Sequence, residues 1–112
     1  MPTLAIANLR AVTMGPDITA YLERIDATLE PFAGRFLVHG DPMEVLEGHW
    51  SGDLVVIAFP DRDSALRWYR SPAYQRILPL RLANAEGDVC LIDTVPDGHR
   101  ATDILPAPDR PG

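Results

Sequence analysis

Leu54-Val55-Val56-Ile57-Ala58-Phe59, closed by Pro60, is the stretch on which the reading of the fold turns. Six apolar residues run together without a polar alternate, rich in β-branched side chains. That pattern belongs to a strand buried on both faces. Ser51-Gly52-Asp53 turns the chain into it and Pro60 ends it. A second two-sided strand is expected over residues 3–12, where Leu4, Ile6, Leu9 and Val12 mix with small alanines. Arg35 to Gly40 forms another, in which period two puts Arg35, Leu37 and His39 on one face and Phe36 and Val38 on the other. Val89 to Val95 supplies the last strand, after a turn at Glu86-Gly87-Asp88.

Helices fill the intervals. Gly15-Pro16-Asp17 opens one, with proline preorganised for the first turn and aspartate at the positive end of the dipole. Ile18, Tyr21, Leu22, Ile25 and Leu29 then recur three and four apart, a one-sided apolar stripe. Pro31 and Gly34 stop it. Asp61 is a plausible N-cap for a second helix carrying Ala65, Leu66 and Tyr69 on one face. Ser71-Pro72 starts a third, which continues through Tyr74, Ile77, Leu78 and Arg81. Pro79 removes an N–H from that helix and predicts a kink or break there.

The order is therefore β-α-β-arm-β-α-β, the split βαβ order of an α+β ferredoxin-like domain with a four-stranded antiparallel sheet. Helices cover one face of such a sheet. The other face reads as apolar here, and a second copy packing sheet to sheet would cover it, so a homodimer is expected. The domain should span residues 1–95. Residues 96–112, rich in proline, make a tail with little helix or strand potential, which Ile104 and Leu105 could dock onto the body or a partner.

Composition narrows the function classes. The chain has 112 residues and a formal net charge of −6. A surplus of carboxylates without a basic cluster argues against nucleic acid. All ten cationic residues are arginines. The single Cys90 forbids an intrachain disulfide and, lying in an apolar stretch, reads as a buried thiol. No signal peptide and no run long enough to span a bilayer is visible, so a cytoplasmic protein without membrane contact is expected. No phosphate-cradling glycine loop, dinucleotide fingerprint, nucleophile elbow or paired-cysteine motif occurs, which disfavours nucleotide cofactors and covalent catalysis. Neither a cofactor nor a metal is called for.

Two groups of residues carry possible chemistry. Glu47 and His49 stand two apart on extended chain, with His39 on the preceding strand. A carboxylate beside an imidazole suits proton transfer near neutral pH. The same three could in principle hold a divalent metal, though no ligand motif supports it. The plainer reading pairs Glu47 with an arginine and leaves the histidines on the surface or in a dimer contact. Trp68, Tyr69, Tyr74 and Arg81 form the second group: aromatic rings with polar tips, and a cation that must find a partner if buried. The plainer reading there is packing, with Arg81 bonded to Glu47 or a helix end. Trp50 closes the arm and suits packing or an interface better than catalysis.

The blocks Arg35-Phe36-Leu37-Val38-His39-Gly40, Leu46-Glu47-Gly48-His49-Trp50, Val55-Val56-Ile57-Ala58-Phe59-Pro60 and Trp68-Tyr69-Arg70-Ser71-Pro72-Ala73-Tyr74-Gln75 resemble a bacterial family, domain-of-unknown-function family 1330. The resemblance implies the dimeric α/β-barrel superfamily, whose members include small monooxygenases, muconolactone isomerases and haem-dependent enzymes, with pockets between sheet and helices. One departure stands out. Family members often carry Arg-Gly-Gly where this chain has His39-Gly40-Asp41, which weakens the expectation of an anionic ligand. The combined expectation is a small organic molecule bound or converted by cofactor-independent acid–base chemistry. Glu47 or His39 would move protons, Arg81 would orient a carboxylate or enolate, and Tyr69 and Tyr74 would line the pocket beside Trp50, Trp68 and His49. The alternative is a binding or interaction module without turnover.

Overall fold

The computed structural model describes residues 1–106. Strand β1 (Thr3–Val12) leads into helix α1 (Pro16–Leu29) and a single 3₁₀ turn (Glu30–Phe32). Strands β2 (Arg35–His39) and β3 (Asp53–Phe59) follow, separated by an irregular arm at 40–52. Helices α2 (Arg62–Arg70) and α3 (Pro72–Leu82) lead into strand β4 (Ala85–Asp93). The four strands form one antiparallel sheet in the order β2-β3-β1-β4. β3 and β1 lie centrally, which suits the apolar run 54–59 of β3 and the apolar residues on both faces of β1. This is the α+β ferredoxin-like arrangement.

Local chemistry sets the element ends. Asp61 caps α2, its Oδ1 accepting from the Ser64 amide at 2.7 Å. Ser71 serves two helices at once: its hydroxyl donates to the Trp68 carbonyl at 2.7 Å and accepts from the Tyr74 amide at 3.2 Å. Of the kink or break expected at Pro79, the break does not occur: α3 continues through it. Gln75, whose carbonyl loses its usual donor there, is exposed, so water can serve that carbonyl. The left-handed residue after α1 is Ala33 (φ 56°) rather than Gly34. Gly34 answers to packing instead, since a Cβ there would press on the Phe59 and Leu29 side chains.

Two further expectations need correction. β4 starts at Ala85, so Glu86-Gly87-Asp88 lies within the strand and not in a turn. Gly87 sits opposite Leu9, and a Cβ there would run into the Asn8 carbonyl oxygen. The glycine marks a close backbone approach beside an irregular step in β1 between Leu9 and Ala11. β2 is also irregular. Phe36 pairs with Ile57 and His39 with Val55, with a shift between Phe36 and Val38. The extra residue breaks the period of two and brings Phe36 and His39 to the same face. Their rings stack at 4.5 Å between centroids.

The core lies between the sheet and the helices. Ala5, Ile57 and Phe59 from the strands pack against Tyr21, Ile25 and Leu29 of α1, and against Trp68, Tyr74, Ile77 and Leu78 of α2 and α3. The opposite face carries Leu4, Ile6, Val38, Leu54 and Val56, by pleat and register. Val56 and Ala58 are buried, but Ile92 at the β4 edge is 51% exposed. Cys90 is exposed as well, because β4 turns it away from the helices; the expectation of a buried thiol does not hold in the single chain. The Cα radius of gyration is 17.3 Å, against about 13 Å for a compact chain of about this length. The arm and the segment after β4 account for much of the excess. Both are exposed, Leu46 at 87% and Ile104 at 79%. Ile104 and Leu105 therefore do not dock on the body, and the last six residues of the expected tail lie outside the described residues.

Candidate functional site

A cavity of about 220 Å³ opens between the sheet and α1. Ala5, Ala7, Val55 and Ile57 form its floor and Ile18, Tyr21 and Ile25 its roof. The small side chains on β1 leave this space: two alanines stand where larger residues would fill the gap. Trp68, Tyr69, Tyr74 and Arg81 line it from α2 and α3, and His39, Gly40 and Asp53 come from the two ends of the arm.

The polar core of the cavity is a hydroxyl pair beside a guanidinium. Tyr21 and Tyr74 hydroxyls lie 2.8 Å apart, and either can donate to the other. Their rings meet edge to face at 6.2 Å. Arg81 places its guanidinium carbon 6.0 Å from the centre of the Tyr21 ring. Arg81 is only 9% exposed. Burial, with Tyr74 beside it, raises the Tyr21 hydroxyl far above its ordinary value, so that phenol stays protonated. Burial disfavours the charge on Arg81, but Tyr74 and then Tyr21 more than offset it and shift the guanidinium upward, so it remains a cation.

Hydrogen bonds and ring contacts hold the side chains behind the cluster. The Trp68 indole N–H donates to Thr28 Oγ1 at 3.0 Å, and the Thr28 hydroxyl donates to the Ile25 carbonyl at 2.6 Å. Trp68 and Tyr74 rings lie 4.1 Å apart, and Phe59 backs Trp68 at 5.3 Å. The Ser71 corner between α2 and α3 sets the relative placement of Trp68, Tyr69 and Tyr74.

The two groups drawn from the sequence are placed differently. Tyr69, Tyr74, Trp68 and Arg81 come together on the cavity, with Trp68 and Tyr74 also belonging to the core. His39 joins them at the rim through the irregular step in β2, on the face that strict alternation would have denied it. Glu47 and His49 lie on the exposed arm. Within one chain Glu47 does not reach Arg81, and among the described residues neither forms an ion pair with a carboxylate or arginine. Trp50 is half-exposed and lines a shallow recess at the base of the arm with Asp41, Pro42 and Met43. Among the described residues no three His, Cys, Asp or Glu side chains gather closely enough to hold a metal ion. Tyr21 is the residue that sequence reasoning overlooked. It was one of five positions in an apolar stripe, yet a tyrosine on a buried face needs a partner for its hydroxyl, and that requirement was the available signal.

With this geometry in place, comparison with known proteins decides the family. The model of the family described as Domain of unknown function (DUF1330) matches residues 2–95. The chain belongs to the DUF1330 family. No curated protein matches it in sequence. Solved structures share the fold of this DUF1330 protein at low identity. A protein of unknown function from Rhodopseudomonas palustris is 16% identical, over 85% of this chain and 83% of that one, with a TM-score of 0.65. A dimeric ferredoxin-like protein of unknown function from Jannaschia is 11% identical, over 84% and 100%, also at 0.65. SnoaB, a cofactor-independent oxygenase from Streptomyces nogalater, is 15% identical, over 89% and 100%, at 0.59. Among the described residues of the DUF1330 chain no helix is long and apolar enough to cross a membrane.

Proposed function

We propose that this DUF1330 protein works as a homodimer that binds a small organic molecule in the cavity between sheet and helices and transfers protons on it. The observation that carries the reading is the buried Tyr21–Tyr74–Arg81 cluster set into an otherwise apolar cavity. An apolar space with a few convergent polar groups is the usual form of a ligand site. The protonated phenol of Tyr21 and a fixed guanidinium favour an oxygen on which negative charge develops. His39 at the rim supplies a group able to accept a proton. Solved relatives of the fold include a cofactor-independent oxygenase, which agrees with chemistry done by side chains alone. Homodimer formation is supported by the open apolar face of the sheet and by the dimeric relative from Jannaschia.

A non-catalytic binding role is the second reading, favoured by one feature: among the described residues lining the cavity no carboxylate is buried, so a strong internal base is lacking. Proton exchange separates the two. In deuterated buffer, NMR of acetophenone, a neutral one-ring ketone, should show protein-accelerated exchange of its methyl protons if the protein is a catalyst. Tyr74→Phe and His39→Gln should each reduce that acceleration at least tenfold. Saturable binding with no acceleration would establish the binder. Acetophenone binding that survives Ala7→Phe, which fills the cavity from its floor, would reject the cavity as the site under either reading.

A further inference from the structure

The charge balance of the cavity identifies the kind of molecule it takes. Arg81 is nine-tenths buried, yet no carboxylate faces it: among the described residues it takes part in no ion pair. Its close polar neighbours are the hydroxyls of Tyr21 and Tyr74, and burial keeps that of Tyr21 protonated. An aromatic face and neutral hydroxyls support the charge of Arg81 but carry no countercharge, which a carboxylate would supply with better-matched geometry. The remaining ionisable side chains on the cavity wall are Tyr69, a phenol, and His39 and Asp53, which are exposed at the rim and so solvated without Arg81. The guanidinium therefore stands on the cavity wall beside two hydroxyls, and among the described residues no anion of the chain itself pairs with it.

Resting on the ligand-site reading above, we propose that the ligand is a one-ring carboxylic acid whose carboxylate docks on Arg81 and whose ring lies between the β1 alanines and α1. The planar fork of arginine matches the two oxygens of a carboxylate. The free proton of the Tyr21–Tyr74 pair supplies a further donor, since a two-hydroxyl pair uses only one of its protons internally. The size fits as well. An apolar cavity of about 150 Å³ accepts benzene, so the present 220 Å³ accommodates one ring with a carboxylate.

The test is a calorimetric titration of the full-length protein with benzoate and with benzyl alcohol, its neutral counterpart of similar size. Benzoate should bind at least tenfold more tightly. Arg81→Met, which keeps the length of the side chain and removes its charge, should erase or reverse that preference; Arg81→Lys should keep part of it. Thermal melts confirm that each variant is folded. Equal affinity for the acid and the alcohol in the wild-type protein would overturn the carboxylate assignment and leave the cavity as a ligand site. A benzoate preference that persists in folded Arg81→Met would place the anion elsewhere and also overturn it. Failure of both compounds to bind would overturn the ligand-site reading together with this inference.

Discussion

Tyr21 shows how one hydroxyl ties stability to the candidate site. Its bond to Tyr74 is buried, so Tyr21→Phe should cost about 1 kcal/mol in urea unfolding while leaving the rings packed. The same substitution has a pH signature. Tyr21 is raised in the folded state above its ordinary 10.0. Its contribution is complete below that value and declines as the pH rises beyond it. Wild-type stability should therefore fall on raising the pH above 10, and Tyr21→Phe should fall less steeply. Asp93 gives the opposite limb. The hydroxyl of Thr3, bonded at 2.7 Å, and then Arg62 hold its carboxyl below the ordinary 3.8. That support is complete above 3.8 and is lost as acid protonates the folded carboxylate. Melting temperatures between pH 5 and 2.5 should drop more gently in Asp93→Asn. Arg81 marks what single residues disclose in a sequence: its place on an apolar stripe is readable from spacing, but the absence of a facing carboxylate depends on where Glu47 ends up. Nothing local determines that, because the arm has no regular structure.

Among elements, those with strong punctuation were legible and those with irregular ladders were not. Pro16, Asp61 and Ser71-Pro72 mark helix starts by chemistry that acts within a few residues. Ser71→Ala removes the cap of α3 and the tie to α2 together, and should cost about 1 kcal/mol in chemical unfolding. The start of β4 was misplaced because Glu86-Gly87-Asp88 has turn composition, whereas its glycine answers to the backbone of β1. Gly87→Ala should accordingly destabilise by about 2 kcal/mol or more, although alanine is acceptable in most strands. A melting point unchanged from wild type would refute the close approach. The face of His39 could not be read from alternation, since an inserted residue is a property of the pairing with β3 and not of β2 alone.

For the whole molecule, the four-stranded antiparallel α+β fold was legible because the succession of elements is the split βαβ order, which leaves few ways to connect them. The cavity was not, since volume arises from what several elements leave unfilled. The proposed pairing makes a direct prediction. Ile92, open on the face away from the helices, would be covered in a sheet-to-sheet dimer. Ile92→Arg should shift the sedimentation coefficient at micromolar concentration to that of a single folded chain, whereas an unchanged coefficient would remove that face from the contact. The run of the strands has a practical corollary. The Thr94 amide and hydroxyl both donate to the Pro2 carbonyl, at 2.9 Å. The polypeptide thus enters and leaves the sheet side by side, at the end opposite His39 and Asp53. An affinity handle or reporter protein spliced before Pro2 would start from the rear of the molecule and leave the cavity entrance free for solution assays.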